Sequence, residues 1–363
     1  DNVYFDANSF SSSGQTVGIS ASLADCKSMD WTGVTNDPTF DISNDLNVYG
    51  SLTFSLDMIV TSTSNSNLNF KSTQTGNTVT FANNSWEGYI YFNGVGGEWG
   101  LQDSLSLSNP YRAMYVDQGV LNTNGNSIST GSFYVRNTAT ANMSSSNIYS
   151  YWAVQITSSN YNSELSTIYG KGNNFRQINV NNANIRLLVV ESSYSGTVVQ
   201  GNGLYQRVDV NGTGGFVDMD AITVDSIIVY PGKTLELSGT VTVNDYLEMN
   251  GSCSLLSNLR GTGTLSSATG NIGVNYTNIE NITATGGANF TANDSYDLGG
   301  NSGWTINSSS SQDYYWVGDG GDWSDGSHWA LSSGGSGSGC APTFQDNVYF
   351  DANSFSSSGQ TVG

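Results

Sequence analysis

Charge is scarce in this chain: only 11% of its 363 residues are Asp, Glu, Lys or Arg, against about a quarter in an ordinary soluble domain. Basic side chains are scarcer still, 10 against 30 acidic ones, for a formal net charge of −20. Such a surface repels nucleic acid and anionic membrane, so neither is expected as a partner. Histidine occurs once, at His328, and there is no Ser-His-Asp arrangement, HExxH, phosphate loop or zinc cluster to supply motif-borne catalysis. Helix formers are thin: nowhere do Leu, Ala, Glu and Lys recur at helical spacing over three turns, which argues against a helical architecture. No apolar run approaches the ~20 residues of a membrane span, so membrane insertion is not expected. Proline occurs four times and cysteine three.

What fills the chain is Gly (43 residues), Ser, Thr and Asn, with 12% aromatics and many Val, Ile and Thr, the composition of a folded β-rich protein. Short strands alternate with small polar turns, most clearly from Ile222 to Leu265, where apolar residues alternate with Thr, Ser, Glu or Asp over three to five residues. That is the period-two pattern of a strand with one buried face. A Gly or Asn follows every five to ten residues, as tight corners with φ > 0 require. A sandwich wants longer strands and hairpin loops, and a propeller wants a period near 40 to 50 residues. The pattern therefore predicts an all-β fold, a right-handed parallel β-helix (β-solenoid) of about 20 to 25 residues per coil, with Asn amides laddering at the corners. Two aromatic stretches, Trp86 to Gly100 and Tyr149 to Tyr161, are expected to leave the coil as longer excursions.

Residues Asp1 to Gly18 read DNVYFDANSFSSSGQTVG, and Asp346 to Gly363 read the same letter for letter. Self-similarity at a fixed period marks a repeat architecture, so the chain reads as one unit of a tandem array and the start of the next. The division expected is a solenoid over residues 1–306, a Trp/Gly-rich junction over 307–345, and the start of an identical unit over 346–363. Trp316, Trp323 and Trp329 are expected in a hairpin that caps one solenoid and starts the next, with Trp31 as an aromatic plug near the start of the unit. The repeat also suggests a disulfide for Cys340. Its partner would be the copy of Cys26 in the following unit, stapling each junction in an oxidising, extracellular setting. Cys253 is then left as a small buried hydrophobe.

The block W-x-G-x-G-x-x-W-x-[DN]-x-x-H-W is followed by a Gly/Ser loop, C-x-P-T, D-N-V-x-F-D-x-x-S-F-x-x-x-G-Q-T-V and C-x-x-M-D-W. It is carried by Trp316, Gly318, Gly320, Trp323, His328, Trp329, Cys340, Pro342, Thr343, Asp346 to Asp351, Gln360 to Val362, Cys26 and Met29 to Trp31. It resembles repeats of very large secreted surface proteins of Bacteroidota, such as gliding-motility adhesins and giant extracellular filaments. Asn275 to Ala292 looks similar to those repeats as well. The motif block covers roughly a fifth of the unit. The resemblance implies export across the outer membrane, a cell-surface location and an adhesive or mechanical role.

Candidate chemistry is sparse. Asp218 and Asp220 share a strand face near Asp225 and Arg207, a pairing that in glycosidases does acid–base work but here reads as solvated acids. His328 reads as a packed structural residue. Asp319, Asp322 and Asp325 recur every three residues in a Gly-rich loop and form a candidate calcium site; no other cofactor is expected. Trp86, Tyr89, Tyr91 and Trp99 are the candidates for glycan contact by ring stacking. The expected function is non-enzymatic: a structural and adhesive repeat of a giant extracellular filament or cell-surface adhesin. Its partners would be copies of itself along the chain or side by side, and a cell-surface or polysaccharide ligand. The competing expectation is a secreted polysaccharide-active or carbohydrate-binding β-helix.

Overall fold

The computed structural model describes residues 1–363, and the chain folds as an all-β parallel β-solenoid with about 14 turns along its length. It divides into two compact units, Asp1–Ile227 with Ser238–Asn244, and Ile228–Leu237 with Asp245–Gly363.

In the first unit, strands of two to ten residues stack coil upon coil in parallel register. One stack runs Val3–Tyr4, Met29–Asp30, Leu52–Thr53, Asn77–Thr80, Glu98–Leu101, Val120–Asn122, Thr140–Asn142 and Tyr161–Asn162. A second carries the longest inward row: Leu46, Leu68, Ile90, Met114, Phe133, Val154, Ile178, Val199 and Met219 pair rung by rung. All nine are buried. Successive rungs lie between 19 residues apart (Met114 to Phe133) and 24 apart (Ile90 to Met114), so coil length varies while the row stays in register. Each such side chain contributes about 1.5–3 kcal/mol relative to exposure, and the row has no polar interruption.

The corners follow from backbone sterics. Asn83, Asn124, Asn137 and Asn182 hold φ between 55° and 61°, a left-handed conformation that Asn tolerates better than other residues with a Cβ. Between coils, Asn142 Nδ2 donates to Asn122 Oδ1 at 2.7 Å. In the second unit Asn275 donates likewise to Asn250, and Asn278 to Asn258.

The two aromatic stretches stay in the coil, contrary to expectation. Residues Ser85–Trp86, Tyr89–Phe92 and Glu98–Leu101 are ordinary rungs, and Asn147–Ile156 is one long strand. Alternation explains this: Trp86, Ile90, Phe92 and Trp99 point inward and are buried, while Tyr89 and Tyr91 point outward. Glycines make room for the indoles. A Cβ on Gly97 would sit 2.1 Å from the Ser72 carbonyl oxygen and 2.5 Å from the Trp99 ring.

In the second unit, inward rows such as Leu235–Leu259–Ile279 and Met249–Val274–Ala292–Ile306 continue the same construction. The last solenoid strand is Thr305–Asn307. A separate three-stranded sheet follows. Asp313–Trp316 pairs antiparallel with Trp329–Ala330 and parallel with Asn347–Tyr349, so the start of the second copy of the 18-residue segment is a strand of the Trp hairpin's own sheet.

Candidate functional sites: a tryptophan junction and an outward tyrosine ladder

The hairpin 313–330 is built on crossed indoles. Trp316 and Trp329 are fully buried, 4.9 Å apart and at 85°. Trp323 lies edge-on to Trp329 at 4.7 Å. His328 lies flat on Trp316, 4.7 Å away and at 7°, with Nδ1 2.8 Å from the Val317 carbonyl, a packed structural residue. Phe350 closes the cluster within 6.4 Å of all three indoles. Trp31 has a separate role in the first unit, stacked on Phe5 at 3.8 Å.

The disulfide differs from the expected one. Cys340 is bonded to Cys253, 87 residues away in sequence, and not to a copy of Cys26. Cys26 is instead the free thiol, buried in the strand Leu23–Cys26. The coil register decides this pairing. The 340–346 segment is laid against the solenoid coil, where Thr343 Oγ1 accepts from the Tyr296 hydroxyl at 3.1 Å and Phe344 packs on the Tyr296 ring at 5.0 Å. Burial pushes the Cys26 thiol up to about 11, with Asp25 adding to the rise. The native chain should therefore react with no thiol reagent. Unfolding it without reductant should expose one thiol and with reductant three, countable by Ellman titration; a reactive thiol in the native protein would contradict this placement.

The acidic loop is not a metal cage. No three carboxylate, His or Cys side chains converge as metal ligands, which corrects the calcium expectation at Asp319, Asp322 and Asp325. Each carboxylate is turned onto nearby donors: Asp319 onto the Ser356 N–H and hydroxyl, Asp322 onto those of Ser324, and Asp325 onto the Ser327 N–H. These hydrogen bonds hold all three carboxyls below their usual value. Asp351, bonded to Ser333 and the Asn353 N–H, is lowered in the same way. A depressed folded-state pKa means that the stabilisation is present above the ordinary carboxylate value of 3.8 and lost as pH falls through the lowered values. Near-UV circular dichroism of the indoles should therefore melt at a lower temperature near about pH 3 than near pH 6. An unchanged or higher melting temperature in acid would count against these contacts.

The glycan candidates divide. Trp86 and Trp99 are fully buried and cannot stack on a sugar, which corrects that expectation; Tyr89 and Tyr91 stand on the outer face. They belong to a longer feature that sequence reading missed. Tyr91, Tyr115 and Tyr134 are consecutive outward rungs, with rings 4.7 and 4.8 Å apart and nearly parallel, and Tyr149 stacks on Tyr169 at 5.1 Å. That spacing is the distance between strands. The signal lay in the coil period: once rungs are assigned, Tyr91, Tyr115 and Tyr134 fall in one column, and Tyr149 and Tyr169 in another.

Cations lie over these outward rings. Arg136 lies 4.5 Å over the Tyr115 ring and is forked onto Asp117 at 2.8 and 3.0 Å. Arg112 covers Tyr89, Lys171 covers Tyr149 and Tyr169, and Arg176 covers Trp152 and Tyr194. Four of the chain's 10 basic residues thus lie over outward aromatic rings, with Arg136 on the Tyr91–Tyr115–Tyr134 column itself. Burial, with neighbouring tyrosines, pushes the Tyr115 phenol up to about 12, so the ladder is neutral on its rings and cationic above them.

The acid pair is weaker chemistry. Asp218 and Asp220 face outward from Val217–Asp220, and burial raises Asp218. The neighbouring Asp225 is engaged by Asn244 and Arg207 by Asp209, so neither faces the pair as a free partner.

These features define a β-solenoid protein with an aromatic-cored three-stranded hairpin sheet. No family model, curated protein or solved structure matches the chain.

Proposed function

We propose that the chain is a structural and adhesive repeat of an extended extracellular fibre or cell-surface adhesin, without catalytic activity. The observation that carries this reading is that the repeat is conformational as well as textual. In both copies the Asp N–H donates to a Ser hydroxyl three residues on (Asp6 to Ser9, Asp351 to Ser354, each 2.9 Å), and the carboxylate accepts from the Asn N–H two residues on (2.9 and 2.8 Å). Gly14 and Gly359 share φ near 73° and 83°. A segment that folds alike in two settings is a standard part, as tandem arrays require. The Cys253–Cys340 disulfide suits an oxidising compartment, and 30 acidic side chains suit a fibre that must stay dispersed. The sequence resemblance to Bacteroidota surface repeats supports the same location.

Immunogold electron microscopy of the native cells is the test: label along surface fibres is expected, and label confined to the cell interior would refute the proposal. A second reading, carbohydrate binding, is favoured by the cation-capped tyrosine ladder, because aromatic faces and fixed cations suit acidic polysaccharides. On that reading Arg136→Ala and Tyr115→Ala should reduce retention on acidic polysaccharide in affinity electrophoresis, and unchanged retention would dismiss it.

A further inference from the structure

The two copies of the 18-residue segment use opposite edges of the same strands. In the first copy, the Val3 and Phe5 N–H groups donate to Ser28 and Asp30, pairing Val3–Tyr4 with Met29–Asp30. In the second, the Asn347 N–H donates to Gln312, and Asn347–Tyr349 pairs with Asp313–Trp316. Asn347 corresponds to Asn2, and successive amides along a strand point to opposite edges. The second strand repeats the arrangement. The Gln15 carbonyl accepts from Thr39 in the first copy, whereas the carbonyls of Thr361 and Gly363, equivalents of Thr16 and Gly18, accept from Gly321 and Trp323 in the second.

The side chains divide likewise. Phe5 and Phe10 are stacked on Trp31, and Phe10 is only 6% exposed, while Tyr4 stands 67% exposed. In the second copy Tyr349 is stacked on Tyr315 at 5.0 Å, and Phe350 meets the three indoles of the hairpin. There Phe350 and Phe355 remain 47% and 36% exposed on the face that their counterparts give to Trp31. Each copy leaves open what the other has filled, and the segment itself folds the same way in both.

We infer that this segment is a two-faced joint, held on one edge by the Trp hairpin 313–330 of one repeat and on the other by Trp31 and the strands Met29–Asp30 and Thr39–Ile42 of a second copy of the repeat. The inference rests on the repeat reading above and names its partner. The occupied joint is a continuous parallel ladder, hairpin strand to segment to first coil, with the Phe350 ring between the hairpin indoles and the partner's Trp31. This is β-strand addition with an aromatic lock, and it is heterologous, so it propagates head to tail without closing.

In the 363-residue chain the first copy of the segment already covers Trp31, so weakening that copy should open the acceptor to the second copy of another molecule. Phe5→Asp in the full chain is expected to convert the monomer peak in analytical ultracentrifugation into a ladder of head-to-tail oligomers. The double variant Phe5→Asp/Phe350→Asp carries the same first-coil lesion without an intact donor and should return to monomer. The free peptide DNVYFDANSFSSSGQTVG should bind the single variant and shorten its oligomers. A Phe5→Asp chain that stays monomeric and binds no peptide overturns the inference, as does a double variant that associates equally. These outcomes are read on purified protein and the repeat's location on cells, so either proposal can fail alone.

Discussion

Phe133→Ala should destabilise the first unit by about 3–5 kcal/mol, the usual cost of emptying a large buried aromatic site. Phe133 is fully buried and is the rung between Met114 and Val154 in the nine-residue inward row. The rows above and below are pinned by their own backbone ladders, so the cavity can collapse little. In a stacked-coil protein each turn touches mainly its neighbours, and the loss should therefore be local. Hydrogen exchange should accelerate in Ala113–Val116, Ile128–Val135 and Asn147–Ile156 before it does elsewhere. Tyr134→Ala, one residue along the same strand but on the outer ladder, should cost only about 0.5–1.5 kcal/mol beyond its area. Equal losses at 133 and 134, or exchange that rises uniformly along the chain, would contradict the inward and outward assignment.

Removing the disulfide should have a comparable effect on the second unit. It closes a loop with a sequence separation of 87, for which the chain-entropy account gives roughly 4–5 kcal/mol. Cys253→Ser, Cys340→Ser and the double variant should all lose about the same amount, because each removes one bond. The covalent tie holds the 340–346 segment, and with it the Trp hairpin, against the coil that carries Tyr296. Its loss should therefore speed proteolysis between Asn307 and Gln312, the polar stretch that joins solenoid to hairpin. Three variants with distinct stabilities, or cleavage rates equal to wild type, would show that the remaining contacts suffice.

Much of this molecule can be read from the order of its residues. Strand alternation is local: inward Ile90 and Phe92 flank outward Tyr91 within four residues, and Asn at corners such as Asn83 and Asn124 carries its own conformational preference. The repeated 18 residues announce an array, and the Trp-rich block announces a hairpin, since Trp316 and Trp329 lie within reach of a short antiparallel return. The aromatic stretch at Trp86–Gly100 is not legible in the same way: bulk suggests a departure from the coil, whereas glycines beside the indoles let the coil absorb them.

What only the tertiary structure decided are matters of register between coils. Tyr91, Tyr115 and Tyr134 become a column because coil lengths of 24 and 19 residues bring them to the same height. Cys340 finds Cys253, where the copy of Cys26 in a following unit is the partner that the repeat suggests, because the segment after the hairpin is laid on a coil 87 residues earlier. Asp319, Asp322 and Asp325 satisfy nearby donors where a metal cage was expected, because loop geometry aims each at a different serine. Alternation is dictated by neighbours along the chain, where sterics act over a few residues. Coil height is set by the sum of every intervening corner, and no local interaction fixes that sum.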